Sequence, residues 1–129
     1  MMTWEELKDI NIVPHRKPEI EKEYLIFRNK NKNNNDYIKT NIFIDKNNEL
    51  YLTTNKFPYD MEDNIIHLII WDSKPLDNDK RNKNRYRKFI SKFFNIKKFD
   101  IILRINKKEH QSIPEFKHCH LFLKIKKIS

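Results

Sequence analysis

Not one of the 129 residues is glycine. That excludes P-loops and dinucleotide-binding fingerprints outright, because their tight turns need glycine to let phosphate approach the backbone. A single cysteine, Cys119, excludes an internal disulfide and a cysteine-based zinc site. The length argues for one domain spanning 1–129 and leaves no room for a second sizeable one. Only 38% of the residues are hydrophobic, yet Ile, Leu and Phe are numerous enough for a real core. The longest apolar runs, such as Ile65–Trp71, are far too short to span a bilayer. The opening residues, Met1-Met2-Thr3-Trp4-Glu5-Glu6, carry neither the basic nor the apolar part of a secretory signal. The reading is a soluble, cytoplasmic domain with no membrane contact and no cofactor motif.

Net charge is +9, which ordinarily raises nucleic acid as a partner. Composition offers a plainer source. Lys, Asn and Ile fill 56 of 129 positions. Their codons are AT-rich, while those of the missing glycine are GC-rich. An AT-rich genome, such as that of some protists or large DNA viruses, produces this skew without selection for binding. Arginine, the better residue for bidentate phosphate contacts, is scarce at six. The charge is therefore read as a lysine-coated solvated surface.

Thr3-Trp4-Glu5-Glu6 fits a capping box and starts a short helix. Pro18 suits the first turn of a second, over 18–31, with Ile20, Tyr24 and Phe27 at helical spacing. Lys30 to Asp36 is a polar loop, Asn41–Ile44 a weak strand or helix end, and Asn47-Asn48 a turn. Strands follow at Glu49–Thr54 and Ile65–Trp71, the latter apolar enough to be central. From about Arg81 to Phe94, residues Tyr86, Phe89, Ile90, Phe93 and Phe94 form an apolar helical stripe with basic residues opposite. Phe99–Ile105 and Lys117–Lys126 are the last strands. The expected fold is α+β: a mainly antiparallel sheet, a helical N-terminal extension over 1–45, and a core over 46–129 with one helix between the later strands.

Five histidines carry the most informative chemistry. His118 and His120, two apart on a strand, project from the same face, while Cys119 points to the other as a small buried hydrophobe. His67 is the one polar residue in an apolar strand, and a buried imidazole needs a partner. If those strands are neighbours, three imidazoles converge. Asn106, Gln111 and Ser112 lie in the loop feeding the last strand and can donate hydrogen bonds to an anion. Lys74 can add charge from the turn after the His67 strand. The plain alternative is that His118 and His120 mark a polar outer face. Glu109 and Glu115 are candidate carboxylate partners, and Phe57, Tyr59 and Trp71 read as core.

Asn55-Lys56-Phe57-Pro58-Tyr59, then His67-Leu68-Ile69-Ile70-Trp71, then Asn106…Ser112…His118-Cys119-His120 resembles a fungal domain family of unknown function typified by the N-acetylglucosamine-induced protein. Arg16-Lys17-Pro18 and Tyr24 resemble the start of its helix. The chain departs from the family pattern at Asp60, Lys107 and Lys117, where the family has glycine, tryptophan and glutamate.

The order of strand, turn, helix, strand ending in Asn106, loop with Ser112, then His118-Cys119-His120 is more widely similar to the histidine-triad superfamily. That resemblance implies a nucleoside-phosphate hydrolase or nucleotidyl transferase working through a covalent nucleotidyl-histidine. It assigns His120 as nucleophile, His118 and Asn106 as donors to the phosphate oxygens, Ser112 as a phosphate contact and His67 as an orienting group, with no metal. Phe122 stands where many members have a third histidine, and the superfamily's glycine-rich loop is missing. Two other classes stay open: a catalytically inactive module binding a nucleotide, RNA or its cap, and a metal-dependent enzyme with His67, His118 and His120 as ligands.

Overall fold

A computed structural model describes residues 1–30, 42, 48–111 and 116–127. Helix α1 (Trp4–Leu7) begins at the expected capping box, with the Thr3 hydroxyl accepting from the Glu6 N–H and the Glu6 carboxylate accepting from the Thr3 N–H. Helix α2 (Pro18–Lys30) starts on its proline and buries Tyr24. Strands β1 (Leu50–Thr54) and β2 (Ile66–Asp72) come next. Helix α3 (Asp79–Ile90) is capped by Asn78, whose side chain accepts from the Arg81 N–H. Strands β3 (Phe99–Arg104) and β4 (His118–Ile125) close the chain. The polar loop from Lys30 to Asp36 and the weak element at Asn41–Ile44 lie almost wholly outside the described residues.

The four strands form one sheet in the order β1-β2-β4-β3, antiparallel at every pairing. The chain leaves β2, passes through α3, lays down β3 at the edge and returns β4 between them. β2 and β4 are therefore the two central strands, and their register sets Trp71 opposite His118 and His67 opposite Phe122. On β4's other side Arg104 faces His120.

Side-chain alternation divides the sheet. One face buries Leu68, Ile70, Leu103, Cys119, Leu121 and Leu123 against Tyr86 and Ile90 of α3. Phe93 departs from the expected stripe: it lies past the helix end and is 57% exposed. The other face carries His67, Arg104, His118, His120 and Phe122, and the N-terminal segment covers part of it. Met2 and Leu7 pack there with Tyr59, Ile102 and Phe122. Backbone bonds staple that segment down: the Met2 N–H donates to the Asp60 carbonyl (2.6 Å) and the Asp60 N–H to the His15 carbonyl (2.8 Å).

The connection between β1 and β2 folds over the same face and brings Asn55 and Tyr59 with it. Among the described residues one non-glycine position, Asn64, has a left-handed backbone (φ 68°), just before β2. Asparagine tolerates that region better than most residues, so it serves where other chains would place glycine.

Candidate functional site

His67 and His120 meet in the centre of the sheet. Their neighbouring strands bring Nε2 of His67 within 2.8 Å of Nδ1 of His120, and both rings are buried. Two donors face the His67 ring. The Tyr59 backbone N–H lies 3.4 Å from Nδ1, and the Asn55 amide lies 3.4 Å from Nδ1 and 3.3 Å from Nε2. The Asn55 carbonyl oxygen accepts from the Phe57 N–H (2.9 Å), which fixes the amide's orientation. Nδ1 of His67 is thus an acceptor, and its proton sits on Nε2, donated to His120. His120 in turn carries its proton on Nε2 and donates to the Tyr59 hydroxyl (3.1 Å). That oxygen also accepts from the Asn106 amide at 2.9 Å, which fills both of its lone pairs.

Arg104 orients the far end of this relay. Its Nε donates to Oδ1 of Asn106 (2.7 Å), turning the Asn106 amide toward Tyr59. The rest of the guanidinium donates to the carbonyls of Glu6, Leu7 and Ile12. One fully buried cation therefore ties the histidine relay to the N-terminal cover. Arg16 approaches from α2's side, stacked 4.1 Å above the Tyr24 ring and donating to the Phe57 carbonyl.

His118 is built differently. Its Nδ1 lies 2.9 Å from the Phe116 carbonyl, an acceptor only, so Nδ1 carries the proton. Nε2 is left as a bare lone pair with no hydrogen bond to a described residue. The ring lies beside Trp71 (5.3 Å between centroids) and edge-on to His120 (5.4 Å).

Burial keeps all three imidazoles neutral. It pushes His67 down to about 3, with the Arg16 cation adding to the shift. It holds His120 well below the ordinary histidine value, with His67, His118, Arg104 and Arg16 adding to the effect. His118 is lowered by burial too, against a smaller upward pull from its bond to Phe116. Burial also raises the Tyr59 phenol, so that hydroxyl stays protonated. In imidazole-labelled protein, ¹⁵N–¹H correlation spectra at neutral pH should show the Nε2–H tautomer for His67 and His120 and Nδ1–H for His118. Nδ1–H signals from all three rings would contradict these assignments.

Of the residues singled out from sequence, His67, His120 and Asn106 join one hydrogen-bonded group, with His118 against its edge. The low exposure of His118 (8%) and His120 (6%) replaces the polar-outer-face reading of that pair. Gln111 donates to the Asn106 carbonyl (2.8 Å) and so positions the Asn106 backbone. Lys74 is exposed, and its backbone N–H donates to the Asp72 carboxylate; no described contact joins its side chain to the histidines. Ser112 and Glu115 lie outside the described residues, and Glu109 is exposed. Cys119 is buried in the opposite core, where burial pushes its thiol up to about 12. Sequence reasoning missed Arg104 entirely and favoured Tyr59 as core over a base-stacking platform, without its hydrogen-bonding role. A charged residue at the end of an apolar strand was the available signal for Arg104. Among the described residues no group of three or more His, Cys, Asp or Glu side chains is placed to hold a metal ion. The His67–His120 contact places an N–H between two nitrogens whose lone pairs a shared metal would need.

These features define an α+β domain whose central strands bury a histidine relay beside an imidazole nitrogen that has no hydrogen bond to a described residue. The chain belongs to a family described as a protein of unknown function (DUF3605), whose model matches residues 15–124. That span takes in every histidine of the group and leaves the Met2–Ile12 cover outside. No curated protein matches the sequence. Among solved structures, the crystal structure of HTC1 is similar, with a TM-score of 0.67 at 17% identity, covering 98% of this chain and 86% of that one. At that identity the likeness carries the fold alone. No helix among the described residues is long and apolar enough to cross a membrane.

Proposed function

We propose that this chain is a cytoplasmic, histidine-triad-like domain that cleaves or transfers a nucleoside phosphate through a nucleotidyl-histidine, with Nε2 of His118 as the attacking atom. The observation that carries this reading is the bond from His118 Nδ1–H to the Phe116 carbonyl. It fixes the tautomer and aims the opposite nitrogen, unprotonated, away from the backbone. The resemblance assigns the attack to His120, but both His120 nitrogens are engaged, one by His67 and one by Tyr59. His120 then serves as the buried wall that supports His118. The shared segments Asn55–Tyr59, His67–Trp71 and His118–His120 also support a place beside the fungal family typified by the N-acetylglucosamine-induced protein.

In the reaction, the His118 lone pair forms an N–P bond at the α-phosphorus. The P–O bond to the leaving phosphate breaks, and that oxygen keeps the electron pair. Water then displaces the ring nitrogen, loses a proton to solvent and releases the nucleotide. Burial favours the first step at neutral pH because the nucleophile needs no deprotonation. Phe122, buried where many triad proteins have a third histidine, favours a second reading, a nucleotide-binding module without turnover.

Turnover should be measured on a panel of nucleoside triphosphates, nucleotide sugars and dinucleoside polyphosphates. His118→Asn is expected to lower kcat by roughly a thousandfold or more, while His120→Asn gives a smaller loss. Full activity in His118→Asn sinks the enzymatic reading. Binding without turnover in the unaltered protein establishes the module.

A further inference from the structure

Charge is far from uniform over this molecule. Of its 27 basic and 18 acidic side chains, nine and one respectively fall within residues 79–98. That stretch, α3 and the short 3₁₀ turn after it, thus carries +8 of the net +9. Three of the six arginines lie on α3, and a codon skew toward lysine does not supply them.

The helix sorts these charges by function. Arg85 is committed to the structure, donating to the buried Asp72 carboxylate (2.8 Å) and reaching Glu49 (3.5 Å). Tyr86 and Ile90 face the core. At 100° per residue, Lys80, Arg81, Arg87 and Lys88 fall with Asn84 in one arc of about 120° on the outer side. All five are exposed, and Lys92 continues the row just beyond. None of these cations takes part in an ion pair among the described residues. The single acid of the stretch, Asp79, is neutralised by Lys117 at 2.7 Å.

We infer that the outer face of α3 is a docking surface for the phosphodiester backbone of a nucleic acid. An unpaired cationic row with no acid in it complements a polyanion of regular charge, and several lysines and arginines in line release counterions together. A helix of twelve residues is about 18 Å long, which spans about five base-pair steps of a duplex axis and sets the row against several phosphates at once. The surface lies on the side of the sheet opposite the histidine group, so this inference stands apart from the reading of that site.

The test is fluorescence anisotropy of the full chain with labelled 20-nucleotide RNA and DNA duplexes of the same sequence. Affinity should fall roughly 50- to 300-fold between 50 and 200 mM salt. Arg81→Glu/Arg87→Glu/Lys88→Glu should weaken binding by about 30-fold or more. Lys8→Glu/Lys17→Glu/Lys22→Glu, an equal charge change in the N-terminal segment and α2, should weaken it by less than about 3-fold. Binding of either duplex on this pattern supports the surface. Equal losses in the two variants, no binding at 50 mM salt, or binding to phosphatidylserine vesicles without binding to either duplex overturns it. If circular dichroism shows the charge reversal misfolded, Arg81→Ala/Arg87→Ala keeps helix propensity and should still cost about 5-fold.

Discussion

Acidification from pH 7.5 to 5 is expected to destabilise this protein by at least about 2 kcal/mol. The unfolded chain takes up protons on its histidines as pH falls through the ordinary value of 6.5, while the folded chain holds His67 proton-free down to about 3. A folded value below the unfolded one means that stability is fully present above 6.5 and lost as pH falls toward 3. His67 alone accounts for about 2 kcal/mol at pH 5. His118 and His120, also lowered by burial, act in the same direction. Urea midpoints at half-unit steps between pH 7.5 and 5 would read this directly. A flat profile over that range would contradict the neutral, buried relay. The variant His120→Gln should show a shallower slope even where its absolute stability is lower.

Arg104→Met should be the most damaging single substitution outside the apolar core. The side chain is 1% exposed and donates to Asn106 and to the carbonyls of Glu6, Leu7 and Ile12. Methionine keeps most of the stem's volume but leaves the Asn106 oxygen and the Leu7 and Ile12 carbonyls without that donor, while the Glu6 carbonyl keeps the Asp9 N–H. Each buried unmet acceptor costs on the order of 1–3 kcal/mol, offset in part by no longer burying a charge. A net loss of roughly 3 kcal/mol corresponds to a Tm lower by about 10 °C. Cleavage within residues 1–17 by trypsin should accelerate as well, because the guanidinium ties that cover to the sheet. An unchanged Tm with an unchanged cleavage pattern would show that the apolar contacts of Met2 and Leu7 hold the cover unaided.

Much of the fold was legible because its signals are local. The capping box at Thr3, the proline opening α2 and the apolar run of β2 each name their element within a few residues. The convergence of His67 with the β4 histidines was legible as a condition: it required β2 and β4 to be neighbours, and they are. What local reading could not supply was register. Arg104 enters the site only because it faces His120 across β3 and β4, and Tyr59 because the β1–β2 connection folds back over the sheet. Periodicity within one strand carries neither fact. Phe93 illustrates the opposite error, since the apolar spacing ran on past the point where the helix stops. The basic side of α3 was readable opposite its apolar stripe, but weighing charge over the whole chain left its concentration between 79 and 98 uncounted.

The choice between His118 and His120 also lay beyond the sequence, which shows two like residues two apart. It turns on which ring nitrogen is left bare, and that follows from a backbone carbonyl at Phe116 on one side and a phenol at Tyr59 on the other. Intact-mass measurement under denaturing conditions, after incubation with dinucleoside polyphosphates and nucleotide sugars, tests this most directly. A nucleotidyl adduct that survives denaturation and maps to His118 is the expected result. An adduct on His120, or an unmodified mass with every substrate, would contradict it.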